Sequence, residues 1–258
     1  LMAAPVAFTI TATYNGKSVT VERFGRYVQR VIEIPSGVDP KTITTAVVAQ
    51  ANGTQRHVPT EVYFEAGKWY AKINSMTNST YALIQSSVSF TDSTGKWYAN
   101  VVTEMASRKV ISGIGENIFA GERAITRAEF AAILVRALGL PADGTSAFSD
   151  VWASPWYSGA VATAAQYGLV TGRGGNSFDP DANITRQEAM IMLLRAAKLT
   201  DYSGTAGSLE GFTDADSVGS WAKDAVKWSV GSGLIRGADG KLNPTANITR
   251  AESAVIIL

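Results

Sequence analysis

The chain has 258 residues, no cysteine, a single histidine and a formal net charge of +1. That length builds one large domain or two ordinary ones. The lack of cysteine excludes disulfides, thiolate metal sites and a cysteine nucleophile, and a nearly neutral chain offers no field that recruits nucleic acid or an anionic membrane.

Residues 1–88 carry eight basic against five acidic groups, a net of +3, and the remainder fifteen against seventeen, a net of −2. Neither part is a polycation. No apolar run approaches the 18 or more residues of a membrane span, and residues 1–8 are too short, and lack the basic start, for a signal peptide. The sequence reads as a mature fragment whose last helix continues past Leu258, because the repeat described below would run about five residues further.

Residues 1–88 read as strands. Candidates lie at 8–14, 17–21, 27–34, 42–49, 55–58, 61–64, 69–73 and 80–84, where residues alternate or favour β structure. Turn chemistry separates them at Asn15-Gly16, Pro35-Ser36-Gly37, Asp39-Pro40, Asn52-Gly53, Ala66-Gly67 and 74–78. Short strands at this spacing predict an antiparallel sandwich-like domain.

From Ser89 the texture becomes helical and repetitive. Phe90-Thr91-Asp92, Phe148-Ser149-Asp150 and Phe212-Thr213-Asp214 open three units; the Phe spacings of 58 and 64 agree with Arg spacings of 59 and 64 further on. In each unit a tryptophan (Trp97, Trp156, Trp221) starts an i, i+4 apolar stripe, predicting a first amphipathic helix. A turn with Gly113, Gly172 or Gly237 follows, where a left-handed position is expected. Then comes a short extended piece and a second helix.

The second helix opens with Ile125-Thr126-Arg127-Ala128-Glu129, Ile184-Thr185-Arg186-Gln187-Glu188 or Ile248-Thr249-Arg250-Ala251-Glu252. Thr followed three residues later by Glu is a capping box, in which each side chain satisfies a backbone N–H of the other. The box does not explain the arginine, which at the positive end of the helix dipole costs about 0.3–1 kcal/mol. Its repetition implies that it meets an anion. Two readings stand: an internal ion pair with a carboxylate of the same protein, or an anion-binding cleft made of Arg and the free N–H groups of the helix start. Two-helix units bury little alone, so the three should share a core, with the Arg-bearing starts near the grooves between units.

Three tandem units with F-x-D, a helix-opening Trp, a Gly turn and I-T-R-A-E resemble the S-layer homology (SLH) domain, over about two thirds of the chain. The resemblance implies an all-α, pseudo-threefold SLH module after the all-β sandwich-like domain, divided as 1–88, 89–141, 147–200 and 211–258. It implies a secreted cell-wall anchor that is not an enzyme. The implied ligand is secondary cell-wall polysaccharide bearing pyruvate ketals on N-acetylmannosamine, with other S-layer or surface proteins as further partners. A pyruvate ketal is a carboxylate on a compact sugar, the anion that the repeated arginine calls for.

Carried over by residue, the binding arginines are Arg127, Arg186 and Arg250. The groove walls draw on Trp97, Trp156 and Trp221, the turns on Gly113, Gly172 and Gly237, and the acids of F-x-D are Asp92, Asp150 and Asp214. Each has a structural alternative: core packing for Trp, backbone geometry for Gly, a loop or cap hydrogen bond for Asp. Gln187 replaces an alanine in the second phrase, and Arg236 stands where the first two units have Ser112 and Thr171. The β domain looks like modules found just before SLH triplets, with the part of a spacer or second contact surface.

Other chemistry finds little support. The lone His57 reads as structural, and with one histidine in the chain a His-based metal cage or a Ser-His-Asp triad has little to build on. Gly16-Lys17-Ser18 lacks the earlier glycine of a P-loop. Asp179-x-Asp181-x-Asn183 starts like a calcium loop, but has Ile184 where Gly is needed and Met190 where the bidentate Glu belongs. No cofactor is implied. Two alternatives to the binding module remain: an assembly module with the arginines in internal ion pairs, and the anchor region of a larger polysaccharide-degrading enzyme.

Overall fold

The computed structural model describes residues 1–50 and 53–258. It divides into two compact units, the first comprising Leu1–Ser89, Thr103–Ser112 and Arg136–Pro141, the second Phe90–Val102, Gly113–Val135 and Ala142–Leu258.

The first unit holds nine strands among the described residues: β1 (Val6–Ala7), β2 (Thr11–Tyr14), β3 (Lys17–Thr20), β4 (Arg23–Glu33), β5 (Thr45–Ala49), β6 (Gln55–Val58), β7 (Thr60–Glu65), β8 (Lys68–Thr77) and β9 (Thr80–Ile84). They form an antiparallel β1-β9-β5-β6 sheet, an antiparallel β4-β8-β7 sheet and the β2-β3 hairpin. Ala46, Val48, Val58, Tyr81 and Leu83 of one sheet share a core with Ile32, Ala71 and Ile73 of the other, so the two large sheets are layered face to face. Val47, Ala82 and Ile84 point the other way and form a separate buried cluster, which is why β5 reads as a continuous apolar run.

The hairpin at Asn15-Gly16 forms with both residues at positive φ, pairing Tyr14 with Lys17, as a primed two-residue turn requires. Of the Asn52-Gly53 turn, Asn52 lies outside the described residues. The turn expected at 74–78 is mostly strand, since β8 runs on to Thr77. Its polar residues find partners inside the unit. Arg30 Nη1 donates to the Ser75 carbonyl and Nη2 to Asn78 Oδ1, while Asn78 Nδ2 donates to the carbonyls of Ile10 and Val21. Asn and Ser signal a turn only when the neighbouring chain offers nothing better.

The repeats supply six α-helices among the described residues: α1 (Ala99–Ser107), α2 (Arg127–Ala137), α3 (Ser158–Gln166), α4 (Arg186–Leu199), α5 (Lys223–Gly231) and α6 (Arg250–Ile257). All three capping boxes form, for example with Thr126 N–H donating to Glu129 and Glu129 N–H to Thr126 Oγ1. The tryptophans do not start the first helices' apolar stripes. Trp97, Trp156 and Trp221 precede those helices and are 65%, 63% and 60% exposed; the buried faces are carried by Tyr98, Val102 and Met105, by Val161 and Ala164, and by Ala222, Ala225 and Val226.

The glycine expectation is also corrected. Gly237 is left-handed as expected, at φ 71°, but Gly113 and Gly172 are not at positive φ; the helices themselves end on left-handed Lys109, Gly168 and Gly233, whose successors donate back to Met105, Ala164 and Ser229. Glycine is needed in the turns for close approach. A Cβ at Gly113, Gly172 or Gly237 would lie 2.6 Å from the carbonyl oxygen of Ile118, Ser177 or Lys241, and against the ring of Phe90, Phe148 or Phe212.

The repeats are joined by backbone, not by helix packing alone. Ile184 N–H donates to the Ile125 carbonyl, Ile248 to Ile184, and Ile125 to Ile248, at 3.0–3.1 Å, closing a threefold ring of buried isoleucines. Isolated antiparallel bridges, Thr126 with Asn183, Thr185 with Asn247 and Ala124 with Thr249, flank it. The module is helical but closed by extended segments, so the description "all-α" is too narrow.

Candidate functional site

The ring determines what the helix starts can do. The first helical N–H groups are already taken by the neighbouring repeat: Arg127 donates to the Ala182 carbonyl, Arg186 to Ala246 and Arg250 to Arg123, each at 2.9 Å. The second ones, on Ala128, Gln187 and Ala251, donate to Pro180, Pro244 and Gly121. The third serve the capping threonines. The free N–H groups expected for an anion cleft are therefore not on offer.

The motif arginines follow the same cycle. Arg127 Nε donates to the Phe178 carbonyl at 2.9 Å and Nη1 to Glu188 at 3.1 Å. Arg186 does so to Leu242 and Glu252, and Arg250 to Phe119 and Glu129. Arg127 also lies over the Phe178 ring, and Arg250 over Phe119, at 4.8 and 4.7 Å from the ring centroids. Each repeat's arginine thus grips the next repeat's capping glutamate. Burial presses the pKa of Arg127 down, with Glu188 acting against it. For Glu188 burial works against ionisation, but the Thr185 N–H and the guanidinium groups of Arg173 and Arg127 together bring its pKa below the usual carboxylate value.

The F-x-D acids act as loop clamps. Asp92 accepts from the N–H groups of Phe119 and Ala120, Asp150 from Phe178 and Asp179, and Asp214 from Leu242 and Asn243, at 2.7–2.9 Å. Burial raises their pKa, yet these N–H donors outweigh it and the net shift is downward. They hold the extended piece that delivers the capped helix, and each has both oxygens engaged.

One cavity brings expected residues together. A groove of about 390 Å³ is lined by Arg127 of the first repeat, by Thr171, Gly172, Arg173, Glu188, Ile191, Met192 and Arg195 of the second, and by Trp221 of the third. Three guanidinium groups face one carboxylate, a local excess of +2. The groove has an exposed indole and an apolar strip, the combination that suits an acidic sugar. Arg127, Gly172 and Trp221 were expected there; Arg173, Arg195, Ile191 and Met192 were not. Their signal was present: Glu188, Ile191, Met192 and Arg195 stand at i, i+3, i+4 and i+7 of α4, a single helix face.

A model of the family described as "S-layer homology domain" matches residues 89–131, 147–190 and 211–254. Among similar proteins, the Surface-layer 125 kDa protein of Lysinibacillus sphaericus is 38% identical over 159 residues, 60% of this chain and 13% of that protein. Exoglucanase XynX of Acetivibrio thermocellus is 31% identical over 185 residues, 70% of this chain and 17% of that protein. The Amylopullulanase of Thermoanaerobacterium thermosulfurigenes is 29% identical over 251 residues, 96% of this chain, which includes the β unit. The chain spans only 13% of that last relative's length.

Proposed function

Since the chain belongs to the S-layer homology domain family, whose members are secreted and attached to the cell surface, we propose that it is a non-covalent anchor that binds pyruvylated secondary cell-wall polysaccharide in its inter-repeat groove. The observation that carries this reading is the excess of cationic side chains over acid in a groove walled by Trp221. A pyruvate ketal presents a carboxylate to the guanidinium groups while its sugar lies on the indole.

In this reading residues 1–88 are a spacer or second contact surface, and the chain itself performs no catalysis. Its similarity to an amylopullulanase and an exoglucanase concerns small fractions of those proteins, consistent with an anchor carried beside catalytic domains. The cyclic Arg–Glu pairs favour a second reading, in which the repeats are an assembly module. Calorimetric titration separates the two. The anchor binds a glycan carrying pyruvate-ketal N-acetylmannosamine and ignores the same glycan without pyruvate; an assembly module ignores both.

A further inference from the structure

We infer that Gln187 is a positioning residue for the groove: through Gly219 it holds the Trp221 indole in place as the wall on which the sugar lies. The inference rests on the carbohydrate-anchor reading above, leaves the groove's arginines in the part given them there, and names what sets the geometry of the aromatic wall.

Gln187 is the second residue of α4 and is only 6% exposed. A buried amide has to find a partner. Its Oε1 accepts from the Gly219 N–H at 2.9 Å, across to the third repeat. Gly219 opens a short 3-10 turn, Ser220–Ala222, that no side chain caps. Buried Val218 pins the chain before the turn, and buried Ala222 ends it, its N–H donating to the Gly219 carbonyl. Between these fixed points Trp221 stays exposed and lines the groove with Arg127 and the second repeat.

The indole rests on Gly219 itself. A Cβ at that residue would lie 2.6 Å from Trp221 Nε1 and 2.9 Å from Cε2. Gly219 is thus held on two sides, its N–H by Gln187 and its Cα by the ring. Moving this backbone moves the ring, so the Gln187 amide acts on the groove without lining it. The other two phrases have Ala128 and Ala251 in this place, and their side chains offer no acceptor. An indole held before the sugar arrives loses less freedom on binding, which strengthens affinity by preorganisation.

The test is fluorine NMR of the whole chain labelled with fluorotryptophan, in which the Trp221 resonance, assigned by its loss in Trp221→Ala, reports this groove alone. The wild-type resonance should respond to a glycan bearing pyruvate-ketal N-acetylmannosamine. Gln187→Met keeps the length of the side chain and removes the acceptor. It should shift the free Trp221 resonance, leave the other tryptophans and the circular dichroism unchanged, and weaken binding read at Trp221 about 2–10-fold. Gln187→Glu retains an acceptor for the Gly219 N–H and should keep most of the affinity. Gly219→Ala pushes the ring away from the other side and should weaken binding to a similar extent. A Trp221 resonance that Gln187→Met leaves in place, or that moves while affinity is unchanged, would overturn the assignment and leave the anchor reading intact; so would glycan binding to which Trp221 does not respond. A wild type that by calorimetry binds neither this glycan nor its pyruvate-free counterpart removes the anchor reading, and this inference with it.

Discussion

Replacing Arg127 with alanine tests its part as a strut of the repeat ring, where it holds Glu188 and the Phe178 carbonyl. The change removes a charge-assisted bond to the Phe178 carbonyl at 2.9 Å, about 1.5–3 kcal/mol. It also removes the cation–π contact with the Phe178 ring, about 0.5–2 kcal/mol. Stranding one partner of a buried ion pair costs about 3–5 kcal/mol, but Glu188 keeps Arg173 at 2.7 Å, so this part is largely spared. The expected loss is about 2–4 kcal/mol, read from urea denaturation followed by circular dichroism. Arg186 and its partner Glu252 are more exposed, and Arg186→Ala should cost about 1–2 kcal/mol. Arg173→Gln, in a half-exposed pair, should cost less than about 1 kcal/mol. An Arg127→Ala protein that lost under about 1 kcal/mol with an unchanged denaturant slope would refute the strut, because no buried network of this kind is silent on removal.

Gly172→Ala should destabilise by about 1–3 kcal/mol through its 2.6 Å approach to the Ser177 carbonyl, although its φ is ordinary. Lys109→Gly should do the reverse, raising the unfolding free energy by about 0.5–1 kcal/mol and the urea midpoint with it, because Lys109 holds the left-handed position that Gly168 and Gly233 occupy in the other repeats. His57 gives a pH prediction. Burial first, then the charges of Arg108 and Arg56, lower its pKa from 6.5 to about 3. Between those values the unfolded chain takes up a proton that the folded one refuses, so stability falls as pH drops from 6.5 towards 3, by up to about 1.4 kcal/mol per pH unit. Denaturation midpoints across that range should show the slope in the wild type and lose it in His57→Gln; a slope that survives the substitution assigns it to other groups.

The sequence by itself determined what short-range chemistry determines. The capping boxes needed only a Thr and a Glu three residues apart, the hairpin only Asn15-Gly16 between two strands, and the threefold architecture only landmarks recurring at a near-constant interval. The arginine's need for an anion was legible for the same reason. Which anion was not. The partners of Arg127, Arg186 and Arg250 lie 61, 66 and 121 residues away, and only closure of the ring brings each glutamate to the preceding repeat's guanidinium. The same closure consumed the helix-start N–H groups. The tryptophans illustrate a phase error: an i, i+4 stripe drawn from Trp97 or Trp221 begins on a residue that precedes the helix, and periodicity cannot see where a helix starts without a cap. Arg173 and Arg195 escaped notice because they lie outside the repeated I-T-R-x-E phrase, and the groove they line exists only once α4, the turn before it and Trp221 are brought together by folding. Local patterns state what a side chain requires; the tertiary structure decided which neighbour supplies it, because that depends on the path of the whole chain.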